Sequence, residues 1–210
     1  LENWISGKPL DPHKSDEIIA TIDWLFAFQN KNRRTTMTKG DVHLEVNMLK
    51  TNLLQIPHLN KQQYRKWLDD FESYASAIHV DKTSEHGDFW HKNILINPET
   101  NEVNVIDWEH FREEGNPFFD LIFMLINAMQ LPGNPINEFK CNLDGYGRFA
   151  TILKELKNKI DNHFGFSLDL DILIRYTMLR FVIRIWLERG PYNETVILYN
   201  KLLDSLASKF

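Results

Sequence analysis

Two short runs rich in isoleucine and valine lie close together in the middle of the chain, residues 93–97 (NILIN) and 102–107 (EVNVID). The turn-forming sequence PETN separates them. Short β-branched runs on either side of a turn that contains Pro and Asn are typical of a β-hairpin. We therefore expect a small antiparallel hairpin whose second strand ends at Asp107.

The rest of the chain carries mainly helical patterns. Apolar residues recur at helical spacing over residues 15–30, 41–54, 60–78, 119–129, 145–158, 168–189 and 194–209. Ser15, Asn60 and Asn193 stand where helix N-caps are expected, and Gly190–Pro191 would end the helix that precedes it. The polar and basic residues 31–40 (KNRRTTMTKG) are expected to form a loop. The sequence predicts an α+β fold that is mostly helical, with one small hairpin in the middle.

Charge and composition narrow the class of protein. The 210 residues carry 24 Lys and Arg against 29 Asp and Glu, without a long block of like charge, so a nucleic-acid partner is not expected. The longest apolar stretches, around residues 121–129 and 175–187, are shorter than the roughly 20 residues of a membrane span or are interrupted by arginine. Cys141 is the only cysteine, which excludes an intrachain disulfide and fits a protein of the reducing cytoplasm.

Three oxygen-bearing side chains are placed to meet at the hairpin. The sequence HGDFWHKN (86–93) puts Asp88 and Asn93 five residues apart, and Asn93 leads directly into the first strand. Antiparallel pairing would bring Asp107, at the end of the second strand, back beside Asn93. Amide and carboxylate oxygens are ligands that Mg²⁺ accepts when phosphates and water fill its other positions. Asp88 would then accept a proton from an incoming hydroxyl or orient it, as in the arrangement that protein kinases use for phosphoryl transfer.

The segments HGDFWHKNILI, VIDWEHF and NPFFDL resemble the catalytic segments of the aminoglycoside phosphotransferase and choline-kinase-like small-molecule kinases. The specific match covers residues 85–123. The resemblance implies a protein-kinase-like C-terminal lobe spanning residues 1–210, with residues 124–210 as a helical subdomain on the acceptor side. It also implies ATP as the phosphoryl donor, Mg²⁺ as the cofactor, and a hydroxyl of an amino alcohol, an aminoglycoside or a sugar as the acceptor.

The resemblance assigns roles to individual residues. Asp88 would be the catalytic base, and Asn93 and Asp107 would be the Mg²⁺ ligands. His86 and Asp120 would brace the catalytic loop from inside the protein.

The resemblance also implies contacts with the nucleotide. Leu95 and Ile106 would form the apolar floor beneath the adenine. Residues 1–10 (LENWISGKPL) resemble the hinge of this family, in which the carbonyl of Glu2 and the amide of Trp4 would face the adenine.

A kinase of this kind needs an N-terminal lobe that supplies a phosphate-covering loop and a lysine for the α- and β-phosphates. The sequence contains no glycine-rich stretch of that type. We therefore expect the N-terminal lobe to be absent from this chain and present in the complete protein. We also expect the isolated chain to have little or no kinase activity.

Other interpretations of the central segment stay open. His86, Asp88, His91 and Asp107 could ligate a transition metal in a hydrolytic site, although this leaves Asn93 unexplained. A kinase-like lobe could also bind a nucleotide or a partner without turnover. Finally, Asp and Asn favour turns and strand ends for local hydrogen-bonding reasons alone.

The acceptor is open as well. Several acidic residues in the C-terminal half could pair with an amino group of the acceptor or be solvated surface charges. They are Asp144, Asp161, Asp169 and Asp171.

Overall fold

Helices and short strands make up the computed structural model, which describes residues 7–57, 59–130 and 134–207. Its helices are α1 (Ser15–Lys31), α2 (Lys39–Gln55), α3 (Lys61–Ala77), α4 (Phe119–Ala128), α5 (Pro135–Leu143), α6 (Arg148–Phe164), α7 (Leu170–Arg189) and α8 (Glu194–Ala207). Its strands are β1 (Lys8–Pro9), β2 (Arg33–Thr36), β3 (Asp81–Glu85), β4 (Ile94–Ile96), β5 (Val103–Val105) and β6 (Arg112–Gly115). The predicted α+β fold, mostly helical, is confirmed.

The chain divides into two compact units. The first contains Leu1–Thr35 and Asp81–Ser167, and the second contains Thr36–Val80 and Leu168–Phe210. All of the predicted catalytic segment, residues 85–123, therefore belongs to the first unit.

The predicted hairpin is present as β4 and β5 in the first unit. Ile94 pairs with Val105 and Ile96 pairs with Val103 in an antiparallel register. The short strand β1 pairs with the other side of β4, which gives the sheet order β1-β4-β5. Ile94 and Ile96 are fully buried, so the hairpin is fixed in the core by alternate residues of its first strand.

A second sheet, with the order β2-β3-β6, is not marked by any apolar alternation in the sequence. The prediction of a loop at residues 31–40 is wrong for Arg33–Thr36, which form β2. All four residues of β2 are polar and exposed, so main-chain pairing rather than burial accounts for the strand. The antiparallel partner of β6, strand β3, ends at the buried residues Ser84 and Glu85 and leads directly into His86.

The helix ends agree with the predictions at Asn60 and differ from them by a few residues in α1 and α6. Asn60 caps α3, because its side-chain oxygen accepts the amide of Gln63 at 3.2 Å. Helix α1 begins at Ser15 with Lys14 in the N-cap position, one residue before the predicted cap. The helix predicted at residues 145–158 is found at Arg148–Phe164, and it ends at Gly165, which has the left-handed φ of +78° that favours glycine at this position.

Helix α5 was not predicted. Its signal is an Asn134–Pro135 pair, since Asn134 accepts the amide of Asn137 and Pro135 occupies the first turn. This combination of N-cap and first-turn proline is a typical helix start. The few apolar residues in the segment did not give a clear helical period.

The second unit consists of the helices α2, α3, α7 and α8. Phe71 of α3 stacks on Tyr176 of α7, with the ring centroids 3.6 Å apart. Glu45 of α2 accepts the Tyr176 hydroxyl at 2.7 Å and forms an ion pair with the buried Arg180 at 3.4 Å. Stacking and a paired internal charge therefore join three of its helices.

Helix α4 is an apolar helix of the first unit, and nearly all of its side chains are buried. It is only ten residues long. In the described part of the chain, no helix combines the length and apolarity needed to cross a membrane. The importance of α4 for the site lies in its first turn, which contains Asp120.

Candidate active site

Asn93 joins the loop at residues 86–93 to the hairpin. Its backbone amide donates to the carbonyl of Trp90 at 2.9 Å, and its carbonyl accepts the amide of Ile106 at 3.0 Å. Its side-chain Nδ2 donates to the carbonyl and to the carboxylate Oδ2 of Asp88, both at 3.0 Å. The structure thus brings Asp88 and Asn93 together, and it places residue 106 beside residue 93.

Asp107 follows immediately after this pairing. It has a φ of +62°, in the left-handed region that is uncommon for a residue with a β-carbon. Its side chain is exposed, whereas that of Asn93 is 7% exposed. Strained backbone of this kind persists where the surrounding structure determines it, and it is concentrated at functional sites. Asp107 is the residue after Ile106, whose amide bonds to the carbonyl of Asn93.

A single buried carboxylate holds the start of the loop. Asp120, which is 1% exposed, accepts the backbone amide of His86 at 2.6 Å and that of Gly87 at 2.9 Å. Helix α4 begins at Phe119 with Phe118 in the N-cap position, so Asp120 bonds to the loop and does not cap its own helix. The geometry brings together the two residues that the sequence predicted to brace the loop.

The His86 ring connects the loop to the second strand. Its Nδ1 accepts the backbone amide of Asp88 at 3.2 Å, so in the neutral ring Nε2 carries the hydrogen and donates to the carbonyl of Ile106 at 2.9 Å. Burial lowers the pKa of His86, which the hydrogen bond to Ile106 and the nearby Asp88 and Asp107 carboxylates only partly oppose. The ring is therefore neutral at pH 7, and it holds residues 88 and 106 in place.

Gly87 is a residue of this loop whose importance the sequence analysis did not identify. Its φ is +82°, and a β-carbon added there would lie 2.5 Å from the carbonyl oxygen of His110. Only glycine permits both this conformation and this close approach. The sequence signal for its importance is its position, since this glycine lies between His86 and Asp88, two candidate site residues.

Glu85 was also missed. It is 1% exposed, and its Oε2 accepts the backbone amide of Asn116 at 3.0 Å. Arg112 lies 4.0 Å from its other oxygen. A carboxylate at the end of a polar strand gives no sequence signal for burial, since its partners are a backbone amide and an arginine from a distant segment.

The residues predicted to contact adenine are placed as follows. Leu95 lies in β4, where it pairs with Asn104 and is half-buried, on the opposite face from the buried Ile94 and Ile96. Ile106 follows β5 and is also half-buried. Glu2 and Trp4, the predicted hinge contacts, lie outside the described residues.

The hydrolytic metal site considered above does not fit the geometry. Both ring nitrogens of His86 are engaged with backbone groups. Across residues 7–57, 59–130 and 134–207, no group of three or more His, Cys, Asp and Glu side chains could hold a metal ion. Asn93 and Asp107 would offer one amide and one carboxylate oxygen, a donor pair that Mg²⁺ accepts where phosphates and water complete its coordination.

The acidic residues considered for an amino group on the acceptor have local partners. Asp161 bonds to Lys157 and Asp171 bonds to Arg175, each one helical turn away. Asp169 accepts the amide of Ile172 and so caps α7. Asp144 is the C-cap residue of α5.

Comparison with known proteins identifies similar structures but no similar sequences. No protein-family model matches the chain, and neither does any curated protein. The choline kinase LicA from Streptococcus pneumoniae has a TM-score of 0.57 and 17% identity, and the alignment covers 97% of this chain and 68% of that protein. A protein of Ralstonia eutropha described as a candidate aminoglycoside phosphotransferase has a TM-score of 0.58 and 13% identity over 97% of this chain and 69% of that one.

A glucosamine kinase, solved with glucosamine, ADP and inorganic phosphate, has a TM-score of 0.55 and 17% identity. The chain has the fold of these small-molecule kinases. The resemblance predicted from residues 85–123 is thus confirmed at the level of the fold, over 94% of the chain in this alignment. The aligned region spans 55% of the glucosamine kinase, so the chain covers about half of the length of that protein.

Proposed function

We propose that this chain is the C-terminal lobe of a kinase that transfers the γ-phosphoryl group of ATP to a hydroxyl group of a small molecule. The main support for the proposal is the geometry where the loop meets the hairpin. Asn93 bonds to Asp88 through its side chain and to Ile106 through its backbone, and Asp107 directly follows Ile106 in the chain. Three oxygen-bearing side chains at this spacing match the requirements of phosphoryl transfer.

In the proposed mechanism, Asn93 and Asp107 would hold Mg²⁺. When bound, the ion would neutralise charge on the phosphate oxygens. The amide of Asn93 suits this role, because its nitrogen donates to Asp88 and its oxygen is the atom that can bind a cation. The left-handed backbone at Asp107 would fix the direction of the second oxygen ligand.

Asp88 would orient the acceptor hydroxyl and accept its proton. Its carboxylate is held at Oδ2 by Asn93 at 3.0 Å, so one rotamer is favoured before any substrate binds. A positioned base of this kind contributes about 10²–10⁴ to the rate. The neutral His86 ring and the Asp120 carboxylate would act as positioning groups, because they bond to the backbone of the loop.

The similar structures support the proposal that the complete protein binds a nucleotide and a small acceptor molecule. One of the similar structures is the glucosamine kinase with glucosamine, ADP and inorganic phosphate, and another is LicA with AMP. An amino alcohol, an aminoglycoside or a sugar therefore remains the proposed acceptor class. Residues 124–210 are proposed to contribute to its binding side, and the complete enzyme is proposed to include an N-terminal lobe.

The test is transfer of radiolabelled γ-phosphate from ATP to a panel of amino alcohols, aminoglycosides and amino sugars, using the protein at its full natural length. Asp88→Ala should lower kcat by about 10²–10⁴. Glu99→Gln, in the exposed turn of the hairpin, serves as the control and should keep the wild-type rate. Wild-type turnover by Asp88→Ala would remove Asp88 from the mechanism, and Mg²⁺-ATP binding without transfer to any acceptor would favour a non-catalytic kinase-like module.

A further inference from the structure

We propose that Lys92 binds the terminal phosphates of the nucleotide and so is a further catalytic residue of this site. The inference rests on the proposed function, because it concerns the same nucleotide. It adds a cationic side chain to a site that otherwise contains carboxylates, an amide and a neutral imidazole.

The backbone of the loop keeps Lys92 close to the reacting groups. The amide of Trp90 donates to the carbonyl of Asp88 at 3.0 Å, and the amide of Asn93 donates to the carbonyl of Trp90 at 2.9 Å. Lys92 lies inside this second turn, immediately before Asn93. Asn93 also bonds to Asp88, so the backbone at Lys92 is fixed between these two residues of the loop.

The ammonium group of Lys92 is held at the surface of the loop. Its Nζ lies 5.0 Å from the centroid of the Trp90 ring, within the range of a cation–π contact. The side chain is exposed. An aromatic face restricts the lysine without neutralising its charge, so the ammonium stays available to an anion.

Two cations on the strands next to the loop, Lys82 of β3 and Arg112 of β6, have carboxylate partners. Lys82 bonds to Glu114 at 2.7 Å, and Arg112 lies 4.0 Å from Glu85. Within the part of the chain that the structure describes, Lys92 forms no ion pair with a carboxylate.

The local charge balance indicates why such a cation is needed. Between His86 and Asp107, Lys92 is the only lysine or arginine, whereas Asp88 and Asp107 contribute two carboxylates at the loop end of the hairpin. A nucleotide whose phosphates approach Asn93 and Asp107 also approaches the carboxylate of Asp88, which repels them. A lysine acts as a compact positive charge toward phosphate and favours the charge that develops on the transferred group.

This proposal predicts an affinity loss that depends on the number of phosphates. Lys92→Gln should weaken ATP binding about tenfold, the effect expected for one lost charged hydrogen bond. ADP should be affected less, and AMP, which lacks the terminal phosphates, should bind as it does to the wild type. Lys92→Arg keeps the charge and should restore most of the ATP affinity.

The experiment is calorimetric titration of the full-length protein with ATP, ADP and AMP at saturating Mg²⁺. Lys66→Gln, another exposed lysine replaced by the same residue, controls for the change of net charge. The proposal is overturned if Lys92→Gln weakens the binding of all three nucleotides equally, or weakens the binding of none of them. Failure of the wild type to bind any of them would instead reject the proposed function, and the inference with it.

Discussion

The side-chain amide of Asn93 is bonded twice to Asp88, to its carboxylate and to its carbonyl, at 3.0 Å in both cases. One residue therefore orients the proposed base and supplies a proposed metal ligand. A substitution at Asn93 would change both functions together. Asp107 makes no such bond to Asp88 among the contacts of the described residues, so it is the better position at which to test metal binding alone.

The close approach of Gly87 to His110 predicts a large loss of stability in Gly87→Ala. A β-carbon there would lie 2.5 Å from the His110 carbonyl oxygen, in addition to the strain of a left-handed alanine. Gly145 is a matched control, because its φ of +81° is similar and a β-carbon there would meet nothing within 4 Å. Gly145→Ala should cost about 1 kcal/mol of unfolding free energy, and Gly87→Ala should cost about 1–3 kcal/mol more. Urea denaturation measures the unfolding free energy of both variants. Equal losses in the two would show that the close contact with the His110 carbonyl is relieved by a small shift of the chain.

The bonds of Asp120 to the loop predict that Asp120→Asn destabilises the protein. Asparagine keeps one oxygen acceptor but presents an NH₂ group to the second of the two buried amides, those of His86 and Gly87. The unfolding free energy should fall by about 2 kcal/mol or more. Glu99→Gln makes the same chemical change at an exposed position and should have little effect. Equal stability of the two variants in urea denaturation would mean that Asp120 does not hold the loop.

His163 predicts a loss of stability in mild acid. Its ring stacks on Phe26, with the centroids 3.8 Å apart, and burial lowers its pKa to about 4, with a smaller contribution from Arg33. In the unfolded chain the pKa is ordinary, about 6.5. Below that pH the unfolded state takes up a proton that the folded state does not, so stability should fall as the pH decreases from about 6.5 to about 4.

The measurement is the Tm of the wild type and of His163→Gln across this pH range. The variant should lose less stability in acid than the wild type does. His13→Gln, at an exposed histidine, should keep the wild-type pH dependence. An unchanged pH profile in His163→Gln would contradict the assignment of this effect to His163.

Sequence reasoning was most successful where a local pattern also determines the three-dimensional contact. The hairpin is one case, because a two-residue period and a short turn bring residues 93 and 106 together. The left-handed backbone of Asp107 and the approach of Gly87 to His110 could not be predicted, since they depend on the packing of the surrounding chain. The strand at Arg33–Thr36 was missed for a related reason, because its exposed polar residues carry no burial pattern.

The proposed function requires Asp107 to be a ligand of the Mg²⁺ that accompanies ATP. The most direct measurement is calorimetric titration of the full-length protein with ATP, with Mg²⁺ and with EDTA, for the wild type and Asp107→Ala. Glu109→Ala, an exposed acidic residue two positions further on, is the control. We predict that wild-type binding requires Mg²⁺, weakens at least about tenfold in Asp107→Ala and is unchanged in Glu109→Ala. Binding of Mg²⁺-ATP by Asp107→Ala with wild-type affinity would show that Asp107 is not a ligand of the ion.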